Sequence, residues 1–164
     1  MLSALAVRRF RSEVRQGFLR NKTVFVSDLL QTNLARSFGQ RRWGVTVPNF
    51  VDSARLQSLR RFSGTRAHER RRVFIAAKLY PAKGVEAFLE ALAPHLDRSL
   101  QIEIAGDGSD EQRLRARFPA VYFHGLLNSQ DTLRLTAAAD AIVVPSVCEE
   151  ACPSTVLEAL MLGK

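Results

Sequence analysis

The sequence has only two cysteines, Cys148 and Cys152, and no signal-peptide cleavage pattern precedes them. Two thiols without a secretory leader indicate free cysteines in a reducing compartment rather than a disulfide framework. The sequence also lacks an apolar run near the ~18 residues that a membrane-spanning helix requires. These absences exclude a disulfide-stapled secreted domain and an integral membrane protein, and we expect a cytoplasmic protein.

Acidic residues are scarce in the first half of the chain. Residues 1–72 hold sixteen Lys and Arg against four Asp and Glu, a net charge of +12, whereas residues 73–164 hold eight against twelve, a net charge of −4. The change of sign near Arg72 predicts a boundary between two pieces. A chain of 164 residues has room for one domain, or for one domain and part of another.

The chain begins with the arginine-rich stretch MLSALAVRRFRSEVRQGFLR. Such a stretch is typical of a mitochondrial transit peptide, or of an amphipathic helix whose apolar side faces a core. We favour the helix, because the apolar residues recur at helical spacing. Its expected core-facing residues are Leu2, Leu5, Phe10, Val14 and Phe18.

Strand and helix patterns alternate along the rest of the chain. Residues 23–49 predict a strand TVFV, a helix ending at Gly39 and a strand VTVPN, and a short helix and a basic linker follow. From Arg72 four strand–helix units repeat, with strands RVFIAA, LQIEIAG, AVYFHG and AIVVPS. Apolar strands separated by helices predict a doubly wound α/β domain with a parallel sheet. Ligands of such sheets bind outside the carboxyl ends of the strands.

Cations and glycines follow the first two of these strands. Lys78 and Lys83 come after the first strand, and Lys83 stands where the next helix begins. Two cations and a helix N-terminus at one sheet edge suit a diphosphate. The alternative is that Lys83 is a solvated surface lysine. Gly106 and Gly108 follow the second strand. Glu111 occupies the place of the third glycine of a dinucleotide fingerprint, so we exclude NAD and expect the two glycines either to let the turn approach a ligand or to close it tightly.

Carboxylates follow the fourth strand. Glu149 and Glu150 lie in a loop, and Glu158 lies on the helix after it, where Thr155-x-x-Glu158 fits a capping box. The box does not account for the loop carboxylates, which could accept hydrogen bonds from sugar and ribose hydroxyls.

His124, after the third strand, is either a catalytic imidazole or a structural group, and we favour the latter. The two cysteines are a weak metal signal without further ligands, and we expect no metal.

Four stretches together resemble the retaining nucleotide-sugar glycosyltransferases of family 4, which have two facing Rossmann-like domains (GT-B type). These stretches are AKLYPAKGVEAFLEAL, IEIAGDGSD, VYFHG and PSVCEEACPSTVLEALMLGK. The last is similar to the family's Pro-Ser, two glutamates with seven residues between them, and closing Gly-Lys. Upstream, VFVSDLL and VPNFVD resemble the end of the family's first domain, so the resemblance covers residues 20–164.

The resemblance implies transfer of a sugar from a UDP- or GDP-linked donor to a glycan or lipid-linked acceptor, with retention of anomeric configuration. It implies no cofactor and no metal. Lys78 and Lys83 would contact the donor diphosphate, Glu150 would act as the catalytic residue beside the donor sugar, and Glu158 would bind the ribose. The expected donor-binding residues are Lys78, Lys83, Gly106, Gly108, Cys152, Pro153, Ser154, Thr155 and Glu158.

The resemblance also predicts the domain organisation. Residues 1–55 would be the tail of an N-terminal acceptor domain, residues 56–71 a basic linker, and residues 72–164 a donor-binding domain truncated at its C-terminus. We expect a fragment that is inactive alone and contacts an anionic membrane surface peripherally. Two alternatives stay open: a basic module that binds nucleic acid or anionic lipid, and a nucleotide-sugar epimerase of similar architecture. Because no nucleic-acid motif accompanies the arginines, we expect no nucleic acid as partner.

Overall fold

A computed structural model of the chain describes residues 4–39, 43–60, 70–95 and 100–164. The chain divides into two compact units between Asn49 and Phe50. Both units contain parallel strands and helices, which confirms the predicted α/β class. Among the described residues, no helix is both long and apolar enough to cross a bilayer.

The first unit contains two helices and a two-stranded parallel sheet. Its elements are α1 (Ala4–Arg20), β1 (Val24–Phe25), α2 (Asp28–Ser37) and β2 (Val45–Thr46). Ser27 caps α2 by accepting a hydrogen bond from the Leu30 amide at 3.2 Å. The predicted order of strand, cap, helix and strand is therefore confirmed.

An aromatic cluster forms the apolar centre of this unit. Phe25 of β1 is buried and its ring lies 5.5 Å from that of Trp43, edge to face. Phe18 of α1 lies within 6.3 Å of the same indole and 6.1 Å from Phe38, so it packs inward as expected. Val14 is half-buried, whereas Leu2 and the side chains of Leu5 and Phe10 lie outside the described residues.

The second unit contains a four-stranded sheet with helices. Its elements are α3 (Ser53–Arg60), β3 (Arg71–Ala76), α4 (Val85–Leu92), β4 (Leu100–Ala105), α5 (Glu111–Arg117), β5 (Tyr122–Gly125), α6 (Ser129–Ala138), β6 (Ala141–Ile142) and α7 (Ser154–Met161). Single 3-10 turns cover Pro81–Lys83 and Ala93–His95. The strands are ordered β5-β4-β3-β6 and every pair is parallel, as the strand–helix repeat predicted.

Apolar side chains cover both faces of this sheet. Ile75, Ile102 and Ile104 pack with Leu89 and Leu114 in one cluster, and each is at most 1% exposed. A second cluster joins Phe74, Ala105 and Ala139. Burial on both faces explains why these strands consist largely of apolar residues.

Helix α3 is the short helix predicted ahead of the basic linker, and its residues 56–60 lie within the range given to that linker. Leu56 and Leu59 are buried against Leu133, Ala137 and Leu162, so residues 56–60 belong to the packed second unit. The arginines of this stretch had suggested little to bury, but the two leucines occupy one side of a helix and supply an apolar contact. Residues 61–69 of the predicted linker lie outside the described residues.

The strand order identifies the place where a ligand would bind. β4 and β5 lie on one side of β3, whereas β6 lies on the other. The direction of the crossovers therefore reverses between β3 and β6. In open parallel sheets such a reversal leaves a crevice outside the carboxyl ends of the two strands.

Candidate functional site

The loops that follow β3 and β6 are joined at this crevice. The backbone amides of Val147 and Cys148 donate hydrogen bonds to the Ala82 carbonyl at 3.1 and 3.3 Å. Gly84 has a φ of 65°, and a Cβ at this position would lie 2.1 Å from the carbonyl oxygen of Pro145. Only glycine fits so close an approach, because any side chain would displace the loop.

Lys83 and Glu150 form an ion pair across the two loops. The Lys83 Nζ lies 2.5 Å from Glu150 Oε1, and the Ser146 hydroxyl donates to the same oxygen at 2.5 Å. Lys83 is 19% and Glu150 28% exposed, so water screens the pair only in part. The hydrogen bond to Glu150 raises the pKa of Lys83, while the bonds from Lys83 and Ser146 lower the pKa of Glu150. Both groups are therefore charged at neutral pH.

Lys78 lies at the same sheet edge in a second ion pair. Its Nζ is 2.6 Å from Asp107 Oδ1, and the two side chains are 58% and 42% exposed. The hydrogen bond from Lys78 lowers the pKa of Asp107. Asp107 stands between the two glycines predicted from the sequence, but this carboxylate was not itself predicted.

Gly106 and Gly108 bring the turn after β4 against the strand end of β3. A Cβ on Gly106 would lie 1.8 Å from the Ala77 carbonyl oxygen, and one on Gly108 would lie 2.2 Å from that of Leu79. The glycines therefore serve close backbone packing, one of the two roles expected for them. The resulting edge opens into a cavity of about 160 Å³. Its lining includes Ala77, Lys78, Gly106, Asp107, Leu126 and Thr132.

The predicted capping box at the start of α7 is wrong. Pro153 occupies the cap position in an extended conformation, and no side chain caps the helix. Thr155 is consequently inside the helix, where its hydroxyl cannot serve as the cap. The N-terminus of α7, at Ser154, thus has no side-chain acceptor for its first amides, and Glu158 has no capping role.

Glu158 lies half-buried on α7. Burial raises its pKa, and the positive charge of Arg55 on α3 opposes this rise. A carboxyl group with a raised pKa can donate as well as accept hydrogen bonds once it is protonated. No described contact joins Glu158 to Lys83 or Glu150, so the structure brings only the last two into direct contact.

His124 belongs to a separate polar cluster on the strands. Its Nε2 lies 2.8 Å from Glu103 Oε2, and Glu103 also accepts hydrogen bonds from Arg72 at 2.7 Å and from Gln101 at 2.9 Å. Burial alone would raise the pKa of Glu103, but hydrogen bonds from His124 and Arg72 outweigh it and lower the pKa. This arrangement favours the structural interpretation of His124. Glu103 was not predicted from the sequence, where it is one of two polar residues in the otherwise apolar strand LQIEIA.

The two cysteines lie in the loop around Glu150 and form no disulfide. Cys148 and Cys152 are both half-buried. Within the described part of the chain, no three His, Cys, Asp or Glu side chains are grouped so that they could hold a metal ion. The weak metal signal of the cysteine pair therefore finds no further ligands there.

The family of the chain follows from a comparison with known proteins. Residues 70–164, more than half of the chain, match the family described as Glycosyl transferases group 1. The match spans β3 to α7, which carry both ion pairs and the α7 N-terminus. The chain therefore belongs to this family.

Three individual proteins are similar to this chain, one in sequence and two in structure. The GDP-mannose-dependent alpha-mannosyltransferase of Mycolicibacterium smegmatis is 37% identical over 125 residues, 74% of this chain and 32% of the relative. HepE of Anabaena, solved in complex with UDP and glucose, superposes with a TM-score of 0.67 at 21% identity over 86% of this chain and 42% of its own. WaaG, a glycosyltransferase involved in lipopolysaccharide biosynthesis, superposes with a TM-score of 0.65 at 18% identity over 87% of this chain and 42% of its own. The chain thus spans about a third of the curated relative and two fifths of the solved structures.

Proposed function

We propose that this chain is the donor-binding part of a glycosyltransferase of the family 4 type. The protein would transfer a sugar from a UDP- or GDP-linked donor to a carbohydrate or lipid-linked acceptor, with retention of anomeric configuration. The observation that carries the proposal is the Lys83–Glu150 ion pair at the crevice between β3 and β6, which places a cation for phosphate beside an acceptor for hydroxyls. The relatives add support, since one is named for its dependence on GDP-mannose and another is solved with UDP and glucose.

The cations account for binding and departure of the nucleotide diphosphate. Lys83 is charged and largely shielded from water, and Lys78 supplies a second ammonium group at the same edge. The first amides of α7 add the partial positive charge of a helix N-terminus. Negative charge grows on the diphosphate as the sugar leaves, so these groups stabilise the transition state more than the bound donor.

The two carboxyl groups account for recognition of hydroxyls. Glu150 is ionised and would accept hydrogen bonds from the donor sugar next to the reacting carbon. Glu158 would bind the ribose, and its partial burial on α7 suits a group that is covered by a ligand. Gly106, Gly108 and the backbone from Cys152 to Thr155 would let the donor approach closely.

Binding of nucleotides to the chain tests this proposal. Lys83→Ala and Glu158→Ala should each weaken UDP or GDP binding about tenfold or more, since each removes a charge-assisted hydrogen bond. The matched control is Arg134→Ala, which removes an exposed cation of α6 that pairs only with Asp131 among its described contacts. Isothermal titration calorimetry with UDP, GDP, UDP-glucose and GDP-mannose gives the affinities. Equal affinities of the wild type, Lys83→Ala and Glu158→Ala variants would contradict the assigned site.

Further parts of the proposal concern the whole protein. We propose a cytoplasmic enzyme that touches an anionic membrane surface through its basic N-terminal stretch, where Arg8, Arg9 and Arg20 are exposed on α1. Binding to phosphatidylserine vesicles should then fall steeply as salt is added, whereas zwitterionic vesicles should not bind. The isolated chain should transfer no sugar, and detected transfer would refute that statement. Binding of DNA instead of vesicles and nucleotides would favour the basic nucleic-acid module.

A further inference from the structure

Ser146 is a polar residue of the crevice that the proposed reaction leaves without a role. Its hydroxyl donates to Glu150 Oε1 at 2.5 Å, and Lys83 donates to the same oxygen at 2.5 Å. We propose that Ser146 is a positioning residue that keeps the Glu150 carboxylate aimed at the donor sugar when the Lys83 ammonium turns to the diphosphate. This inference rests on the proposed donor site.

One carboxylate oxygen of Glu150 accepts hydrogen bonds from two donors. The ammonium group of Lys83 and the hydroxyl of Ser146 both hold Oε1, and the described contacts of Glu150 leave Oε2 to accept from a ligand. An arriving diphosphate carries more negative charge than one carboxylate and competes for the ammonium of Lys83. The hydroxyl is neutral, so the diphosphate competes less for it. Ser146 is then the contact that continues to fix the carboxylate.

The backbone on both sides of Ser146 is held in place. The preceding residue, Pro145, packs against Gly84, and the following residues, Val147 and Cys148, donate their amides to Ala82. Both anchors belong to the turn that carries Lys83. The backbone that carries the Ser146 hydroxyl therefore stays next to the Lys83 turn even when the lysine side chain changes its partner.

This role predicts an effect on the sugar and not on the nucleotide. In Ser146→Ala, the affinity for UDP and GDP should stay within about twofold, because neither contacts Glu150 in the proposed site. The affinity for UDP-glucose or GDP-mannose relative to the bare nucleotide should fall about tenfold, as expected for a lost hydrogen bond to a charged group. Ser146→Thr keeps a hydroxyl and should restore the ratio. Ser58→Ala, an exposed serine of α3, is the matched control.

A second measurement does not depend on any donor. The hydrogen bond from Ser146 lowers the pKa of Glu150, so its removal should raise that pKa. Carbon-detected NMR titration of the Glu150 carboxyl should show this rise in Ser146→Ala and its absence in Ser58→Ala. Ser146→Cys is a near-isosteric variant with a weak donor, for use if Ser146→Ala does not fold. It should show the same fall in nucleotide-sugar affinity relative to bare nucleotide and the same rise in the pKa of Glu150.

The outcomes separate this inference from the proposed function. If the wild type binds nucleotide sugars but Ser146→Ala leaves the ratio and the carboxyl titration unchanged, the positioning role is overturned and the donor site stands. If nucleotide and nucleotide-sugar affinities fall together in Ser146→Ala, the residue is structural, which also overturns the inference. If the wild type binds none of the four ligands, the proposed function fails and the inference falls with it.

Discussion

The cluster around Glu103 offers a prediction that separates structure from catalysis. Glu103 is 4% exposed, and its carboxylate holds Arg72, Gln101 and His124 together across β3, β4 and β5. Glu103→Ala would leave the Arg72 guanidinium, itself mostly shielded with 21% of its side chain exposed, without its partner. The variant tests whether this cluster maintains the sheet or serves the ligand site.

The expected loss of stability is large because the perturbed charges are buried. Removal of one partner of a buried ion pair costs about 3–5 kcal/mol. With a urea dependence of about 1–3 kcal/mol per molar for small domains, the unfolding midpoint of the second unit should fall by about 1 M or more. Glu90→Ala is the matched control: Glu90 pairs with Arg117 through side chains that are 45% and 51% exposed, so its loss should matter far less.

The pH dependence of stability gives an independent check. In the folded protein the pKa of Glu103 lies below its ordinary value of 4.5. The stability that its ionised form contributes is therefore present above pH 4.5 and is lost as pH falls through the folded pKa. Wild-type stability should therefore decline below about pH 4.5, and Glu103→Ala should show a shallower decline there. Urea unfolding followed by circular dichroism at several pH values measures both quantities.

Two results would refute this reasoning. Similar midpoints for Glu103→Ala and Glu90→Ala would show that the cluster contributes little to stability. The reasoning would also fail if Glu103→Ala and His124→Ala left the unfolding midpoint unchanged but weakened the binding of UDP or GDP. The cluster would then belong to the ligand site, and His124 would again be a candidate catalytic residue.

Two further predictions concern the frame of the site and the packing of α3. Gly84→Ala places a Cβ 2.1 Å from the Pro145 carbonyl oxygen at a φ of 65°, so it should weaken nucleotide binding and lower the melting temperature. Gly17→Ala is the control, because no atom lies within 4 Å of its Cβ, and it should change neither quantity. Leu56→Ala should destabilise the second unit by about 2–5 kcal/mol, because this buried leucine packs with Leu133 and Leu162. A Leu56→Ala midpoint equal to that of the wild type would place α3 outside the cooperative unit.

Much of the fold could be predicted because its signals are local. The apolar strand RVFIAA and its successors alternate with helical patterns, and that alternation leaves a parallel sheet as the arrangement that buries both strand faces. The packing of α3 could not be predicted in this way. Leu56 and Leu59 stand among arginines, and their burial depends on Leu133 and Leu162, which the local composition does not reveal.

The sequence by itself determined which residues follow each strand, and therefore that Lys78, Lys83 and Glu150 belong to one edge of the sheet. Only the tertiary structure decided their pairing, since Lys83 and Glu150 are 67 positions apart and Lys78 and Asp107 are 29 apart. It also decided that Pro153 displaces the expected cap, and that His124 turns toward Glu103. Residue type and spacing specify strands, helices and chain order, whereas the choice of partner for a charge depends on strand order, loop approach and burial, which arise only when the chain is packed.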